Sequence, residues 1–298
     1  MSLVATEVTK RFRDVTAVDD LSFSVSQGSL FGFLGPNGAG KTTTMRVVLG
    51  ILKADSGHVT WENRPLQRQG RGFFGYLPEE RGLYPKMRVE EHLEFLGRIN
   101  GLGRSEARQA TAWWIDRFDL GELRHKRIEE LSKGNQQKVQ TIGTMLHDPD
   151  LLILDEPFSG LDPVNTALLK EVLLEAHADG KTIIFSSHRM DQVEEICDDI
   201  VLINHGRLVL SGNLRQIKRS MGRQILRISL EGNQDFWAKI PGLTLLNSRA
   251  DYLEFRLHDR VDPNQVLSAA MEAGQVVRFE LVEPSLDQIF VEKVGVGA

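Results

Sequence analysis

The feature that most constrains this chain is the run Gly35-Pro36-Asn37-Gly38-Ala39-Gly40-Lys41-Thr42-Thr43. It follows Leu30–Leu34 (LFGFL), a compact apolar run that reads as a buried strand. It precedes a helical pattern with Met45, Val48, Leu49 and Leu52 on one face. A glycine-rich segment in that setting can curl its backbone around a polyphosphate, because glycine brings no Cβ into the turn. The loop N–H groups and the start of the following helix both favour negative charge. Lys41 is spaced to reach the β- and γ-phosphates of a nucleotide. The Thr42 hydroxyl is spaced to ligate Mg²⁺.

Two further apolar runs end in polar residues. Leu151–Leu154 (LLIL) leads into Asp155-Glu156-Pro157, and Thr182–Phe185 (TIIF) leads to His188. Short apolar runs bounded this way suit central strands of a parallel sheet covered on both faces. Between them, Val164, Leu168, Val172 and Ala176 form a helical stripe, giving a strand–helix–strand crossover. An acidic pair at the end of a buried strand has no packing use. Asp155 is placed to bind Mg²⁺, and Glu156 to act on the water that attacks the γ-phosphate. As a general base, Glu156 supplies about 10²–10⁴-fold in rate, or roughly 3–5 kcal/mol of barrier.

Leu131-Ser132-Lys133-Gly134-Asn135-Gln136-Gln137 places Ser132 as an N-cap at the start of a helix. This segment resembles the signature of the ATP-binding cassette (ABC) family, commonly LSGGQ, with Lys133 and Asn135 as departures. The resemblance implies that Ser132, Gly134 and Asn135 face the γ-phosphate of ATP held by a second subunit. It also implies a role for Phe12, in Lys10-Arg11-Phe12, as the aromatic stacked on adenine. Asp162, in Ser159-Gly160-Leu161-Asp162, matches a loop that communicates across the dimer. His188, in Ser186-Ser187-His188, matches the histidine that contacts the γ-phosphate. These landmarks occur in the family's order and cover about residues 1–218. The implied fold is an α/β cassette of the P-loop NTPase type. It has a mainly parallel core sheet, an N-terminal antiparallel β part and a helical subdomain at about 85–145.

Within that subdomain, Val89, Leu93, Leu96 and Ile99 share one face of a helix. A second helix carries Trp113, Trp114 and Phe118 as packing residues. Residues 1–30 alternate in hydrophobicity and read as short strands. From about residue 223 the order becomes strand, short helix, strand, strand, helix, strand, with a last helix near Pro284. This pattern resembles a small ferredoxin-like α+β sandwich over 223–298. No motif assigns that segment a role: dimer contact, regulation and a structural cap all fit. The stretch Glu79–Pro85 and the tail Glu283–Phe290 resemble ATPase subunits of bacterial sodium or drug exporters.

The resemblance implies an ATPase that pairs with a second copy, or a paralogous cassette, and energises membrane-spanning permease subunits. An importer subunit is the alternative, followed by a soluble ABC ATPase. Ribosome-associated members carry two cassettes and DNA-organising members a long coiled-coil insertion, and neither is present here. A net charge of −5 disfavours non-specific nucleic-acid binding. No run approaches the roughly 18 apolar residues of a spanning helix, and the N-terminus shows no secretory pattern. The single cysteine, Cys197, allows no intrachain disulfide and fits a reducing compartment. Together with these points, the resemblance implies a peripheral protein on the cytoplasmic face of the membrane.

One landmark departs from the family. Gly75-Tyr76-Leu77-Pro78 leads to Glu79, where the family usually has glutamine. A carboxylate binds Mg²⁺ well but repels phosphate when the metal is missing. The like-charge cost is about 4 kcal/mol at ~4 Å and an effective dielectric near 20. ATP affinity is therefore expected to depend more steeply on Mg²⁺ in the parent than in Glu79→Gln, as measured by titration with and without the metal. Equal dependence in the two proteins rejects the idea.

Overall fold

Alternating hydrophobicity at the N-terminus produces two long antiparallel strands rather than the short ones expected. These are β1 (Leu3–Phe12) and β2 (Val15–Val25). Irregularities in their register coincide with left-handed residues Glu7 (φ 50°) and Asp20 (φ 52°), which let the strands bend without ending. The computed structural model describes residues 3–80, 82–222, 225–249, 251–258 and 261–295. Within it the chain divides into two compact units, Met1–Gly212 and Asn213–Ala298.

In the first unit, β3 (Leu30–Leu34) and α1 (Lys41–Val48) flank the glycine-rich loop. They are followed by β4 (Ser56–Trp61), which pairs with β1 to complete a three-stranded antiparallel sheet ordered β2-β1-β4. Helix α1 stops at Val48, so Leu52 lies beyond it and packs on the same core from the following turn. Next come β5 (Phe74–Leu77), α2 (Val89–Ile99), α3 (Arg104–Arg117), α4 (Lys133–Met145) and β6 (Leu151–Asp155). The unit ends with α5 (Pro163–Ala178), β7 (Thr182–Ser187), α6 (Met190–Ile196), β8 (Asp199–Asn204) and β9, which spans Arg207–Asn213.

The central sheet runs β5-β6-β7-β3-β8-β9, and its β5, β6, β7, β3 and β8 pairings are parallel. Strands β3, β6 and β7 are buried at every position, as expected of strands covered on both faces. On one face, Phe31, Phe33, Leu151, Ile153 and Ile184 form a core with α1 and the antiparallel sheet. Phe23 and Phe33 meet edge to face at 5.4 Å within it. Parallel order with aligned strand ends matters for function. It brings the C-terminal ends of β3, β6 and β7 to one edge, the place where open α/β sheets bind ligands.

Several side chains depart from the expected stripes. The buried face of α5 is Leu169, Val172 and Leu173, while Val164 is 78% exposed. On α2, Val89 and Leu93 are buried but Ile99 is exposed. On α3, Trp114 packs against Phe118 at 5.8 Å, whereas Trp113 is 56% exposed and meets Trp114 edge-on. A helical stripe reveals the period but not how far the neighbouring layer extends to cover it.

The second unit starts with α7 (Leu214–Ser220). It continues through β10 (Ile225–Gly232), β11 (Leu243–Ser248), β12 (Leu253–Leu257), α8 (Pro263–Ala273), β13 (Gly274–Val282) and α9 (Leu286–Val294). A short 3₁₀ turn over Phe236–Lys239 stands where the first helix of the sandwich was expected. The sheet is antiparallel, ordered β11-β12-β10-β13. That order matches the ferredoxin-like expectation. Alternate residues Leu226, Ile228 and Leu230 join Phe255, Val266 and Ala270 in its core. Elsewhere in the unit, Glu254 is buried and held by Arg227 at 2.6 Å and by the Gln288 side chain of α9 at 2.8 Å.

His92, on α2, is completely buried, and neither ring nitrogen has a hydrogen-bond partner among the described residues. Burial pushes its pKa down to about 4 from 6.5. Between those values the unfolded chain holds the extra proton, so stability falls as pH drops from 6.5 toward 4. The loss is at most about 3 kcal/mol. Urea unfolding at several pH values should show a shallower acid decline for His92→Phe than for the parent. Identical slopes would contradict this.

Candidate active site

The loop between β3 and α1 takes shape from its glycines. Gly40 has φ 103°, and a Cβ there would lie 2.3 Å from the Ala17 carbonyl oxygen. Only glycine lets α1 begin so close to that backbone. Gly38 has φ 79° with open space on its side-chain face. Lys41 is buried at the first position of α1, and its ammonium donates to the Gly35 carbonyl at 2.7 Å and the Pro36 carbonyl at 3.3 Å. A cavity of about 260 Å³ opens here, lined by Ala17, Asn37, Gly38, Gly40, Lys41, Thr42, Thr43, Glu79 and Glu156.

The acidic pair stands at the end of β6, and Glu156 lines this cavity. Asp155 ends β6 with no exposed surface, and Glu156 follows it at 9% exposure. Glu156 has φ 51°, a left-handed conformation that costs a non-glycine residue about 1–3 kcal/mol. Its Oε1 lies 3.5 Å from Lys41 Nζ and 3.0 Å from His188 Nδ1, with no aligned hydrogen bond to it from the described residues. The Ser186 hydroxyl donates to Asp155 Oδ1 at 2.5 Å and accepts the Glu156 N–H at 2.9 Å. Asp155 Oδ2 is buried without a hydrogen-bond partner among the described residues.

That unpaired carboxylate oxygen, the Thr42 hydroxyl and the Glu79 carboxylate are oxygen donors of the kind Mg²⁺ takes. No cluster of three or more His, Cys, Asp or Glu side chains among the described residues is arranged to hold a metal unaided.

Residues 18–159 match the family model described as ABC transporter, and residues 212–294 match that of the ATP-binding protein DrrA1-3-like C-terminal domain. The chain is 44% identical to the uncharacterized ABC transporter ATP-binding protein YhaQ of Bacillus subtilis (strain 168), over 98% of each chain. The chain belongs to the ABC transporter ATP-binding protein family. It is also 30% identical to the linearmycin resistance ATP-binding protein LnrL of the same organism, over 98% of each. A solved structure described as that of an ATP binding subunit of an ABC transporter superposes with TM-score 0.69 at 31% identity, covering 74% of this chain and 94% of the other. Its fold is thus the ABC cassette, and its activity that of a family that binds and hydrolyses ATP.

The ABC subunit's other landmarks lie outside the cavity lining. Ser132 caps α4, its hydroxyl accepting the Asn135 N–H at 3.3 Å, with Gly134 in the first turn. Phe12 is 45% exposed, with the Lys10 ammonium 5.4 Å from its ring centre. Asp162 caps α5, and its hydrogen bond from the Asn165 N–H holds its carboxyl below the usual range. One chain therefore gathers the phosphate loop, Glu79, Glu156 and His188, but not the signature.

Sequence reasoning missed the side chains that tie these parts together. Gln140 of α4 donates to the Pro78 carbonyl at 3.0 Å, beside Glu79, and Gln137 donates to the Pro157 carbonyl at 3.4 Å. Both glutamines are buried. Glutamine in a helix reads as a solvated residue, so nothing local revealed them. Ser186 did carry a signal, being a hydroxyl at the end of an apolar run.

Proposed function

We propose that Lys41 and the loop amides hold the β- and γ-phosphates of ATP, with Phe12 against the adenine. Thr42, Asp155 and Glu79 hold Mg²⁺, which when bound neutralises phosphate charge. Glu156 takes the proton of the attacking water, and His188, 3.0 Å away, keeps that carboxylate in place. The observation that carries this reading is the convergence of Lys41 and His188, from elements distant in sequence, on the Glu156 carboxylate that lines the phosphate-loop cavity.

Ser132, Gly134 and Asn135 complete the site from a second cassette, a copy of this chain or a paralogue. An exposed helix start presents free N–H groups and a positive dipole end to the γ-phosphate across the dimer. Asp162 lies on the loop that carries the signal between the two. The triphosphate then bridges two chains, and its cleavage removes the bridge. That cycle gives a membrane-spanning permease two states to follow. Gln140 supports a link from the γ-phosphate side to the signature helix, because it joins α4 to the backbone around Glu79. The surface from Glu79 to Ser132 is the docking region for the permease.

Residues 1–218 work as the cassette, with 85–145 as its helical part, and 223–298 as an accessory domain. We read the transporter as an exporter at the cytoplasmic face of the membrane. The full-length similarity to a protein named for linearmycin resistance supports export, since expelling a compound is one route to resistance. No described helix is long and apolar enough to cross a membrane, consistent with a subunit that docks on one that does. The Glu156→Gln variant is expected to lose at least about 100-fold in turnover. It should also elute as a dimer with ATP and as a monomer without. Unchanged turnover would remove Glu156 as the base, and elution indifferent to ATP would remove the shared site.

A further inference from the structure

Strand β7 is buried at every position, and Thr182–Phe185 supplies mostly apolar side chains to it. Ser186 follows with no exposed surface. A hydroxyl in that place is costly unless its bonds are made. Both are made to the acidic pair. Parallel pairing sets Ser186 opposite Asp155. The hydroxyl's one proton goes to Asp155 Oδ1 at 2.5 Å, and its lone pairs receive the Glu156 N–H at 2.9 Å.

We propose that Ser186 is a positioning residue for ATP hydrolysis, fixing Asp155 and Glu156 through a single oxygen; this rests on the roles assigned above to those acids. With Oδ1 engaged, the Asp155 carboxylate has a fixed rotation that leaves Oδ2 as its free ligand atom. With its N–H engaged, Glu156 keeps the left-handed backbone that brings its carboxylate to His188 and Lys41. The next residue supports the third member. The Ser187 hydroxyl accepts the Arg189 N–H at 3.0 Å and donates to the buried Gln192 at 3.4 Å, fixing the turn that carries His188. The end of β7 thus aligns the metal ligand, the base and the histidine, while touching no reacting atom itself.

The test uses the full-length chain with Ser186→Ala, Ser186→Cys, Ser186→Thr and Glu156→Gln. ATP turnover gives kcat and KM, and a fluorescent ATP analogue gives affinity with and without Mg²⁺. Alanine and the near-isosteric cysteine, a weak hydrogen-bonder, are expected to lower kcat about 10- to 100-fold. They should also lose most of the affinity that Mg²⁺ adds, with metal-free affinity held within about twofold because the phosphate loop is untouched. Threonine, which keeps the hydroxyl, should recover most of both. Wild-type kcat and a wild-type Mg²⁺ gain in the cysteine variant would overturn the proposal, even if the alanine variant folds poorly. If Glu156→Gln is inactive while the Ser186 variants are normal, only the serine inference falls. If Glu156→Gln retains turnover, the reading of the acids falls instead.

Discussion

Two carboxylates at the end of a fully buried strand are the constraint on which the rest of this structure depends. Asp155 and Glu156 stand where β6 leaves the sheet, with little or no water to solvate them. Uncompensated, such a pair is strongly destabilising. Compensation comes from three directions: Ser186 on β7, Lys41 at the start of α1 and His188 just beyond β7. Each partner is delivered by parallel strands whose ends coincide. The fold and the site are therefore one problem. Neutralising buried acids requires the phosphate loop beside them, and that loop is also the cradle for the anion they act on.

Left-handed backbone at Glu156 belongs to the same arrangement. Continuing β6 as a regular strand would send residue 156 to the opposite face of the sheet. The φ of 51° breaks that alternation and turns the base toward the loop. The helical part is coupled to this centre by buried glutamines rather than by charge. Gln137 and Gln140 reach from the signature helix to the backbone next to Glu156 and Glu79. These bonds tie α4 to the backbone beside both acidic residues without a charged contact.

The cassette was legible because its chemistry is local in sequence. The phosphate loop and the acids after LLIL each occupy a few consecutive residues whose spacing suits phosphate and metal chemistry, and the segment at Ser132 was legible through its resemblance to the family signature. The ferredoxin-like order of the second unit was legible from alternation and turn residues. What escaped notice depended on neighbours distant in the chain. The buried stripe of α5 runs through Leu169, Val172 and Leu173 because of what covers it, and Trp113 is exposed because nothing does to the same degree. Gln137, Gln140 and Ser186 matter only once the layers are assembled. The continuous strands β1 and β2 were underestimated because their irregular register interrupts the alternation.

In the proposed mechanism, one edge of the sheet gathers a lysine, a metal-binding aspartate and a base around a single γ-phosphate. The most direct measurement is an experimental structure of the full-length chain with magnesium and a non-hydrolysable ATP analogue. Lys41 Nζ is expected on the β- and γ-phosphates instead of the Gly35 carbonyl. The metal is expected between Thr42 and Asp155, with the Glu156 carboxylate facing the γ-phosphate. A nucleotide bound away from the glycine loop, or Glu156 pointing away from the γ-phosphate, would contradict it.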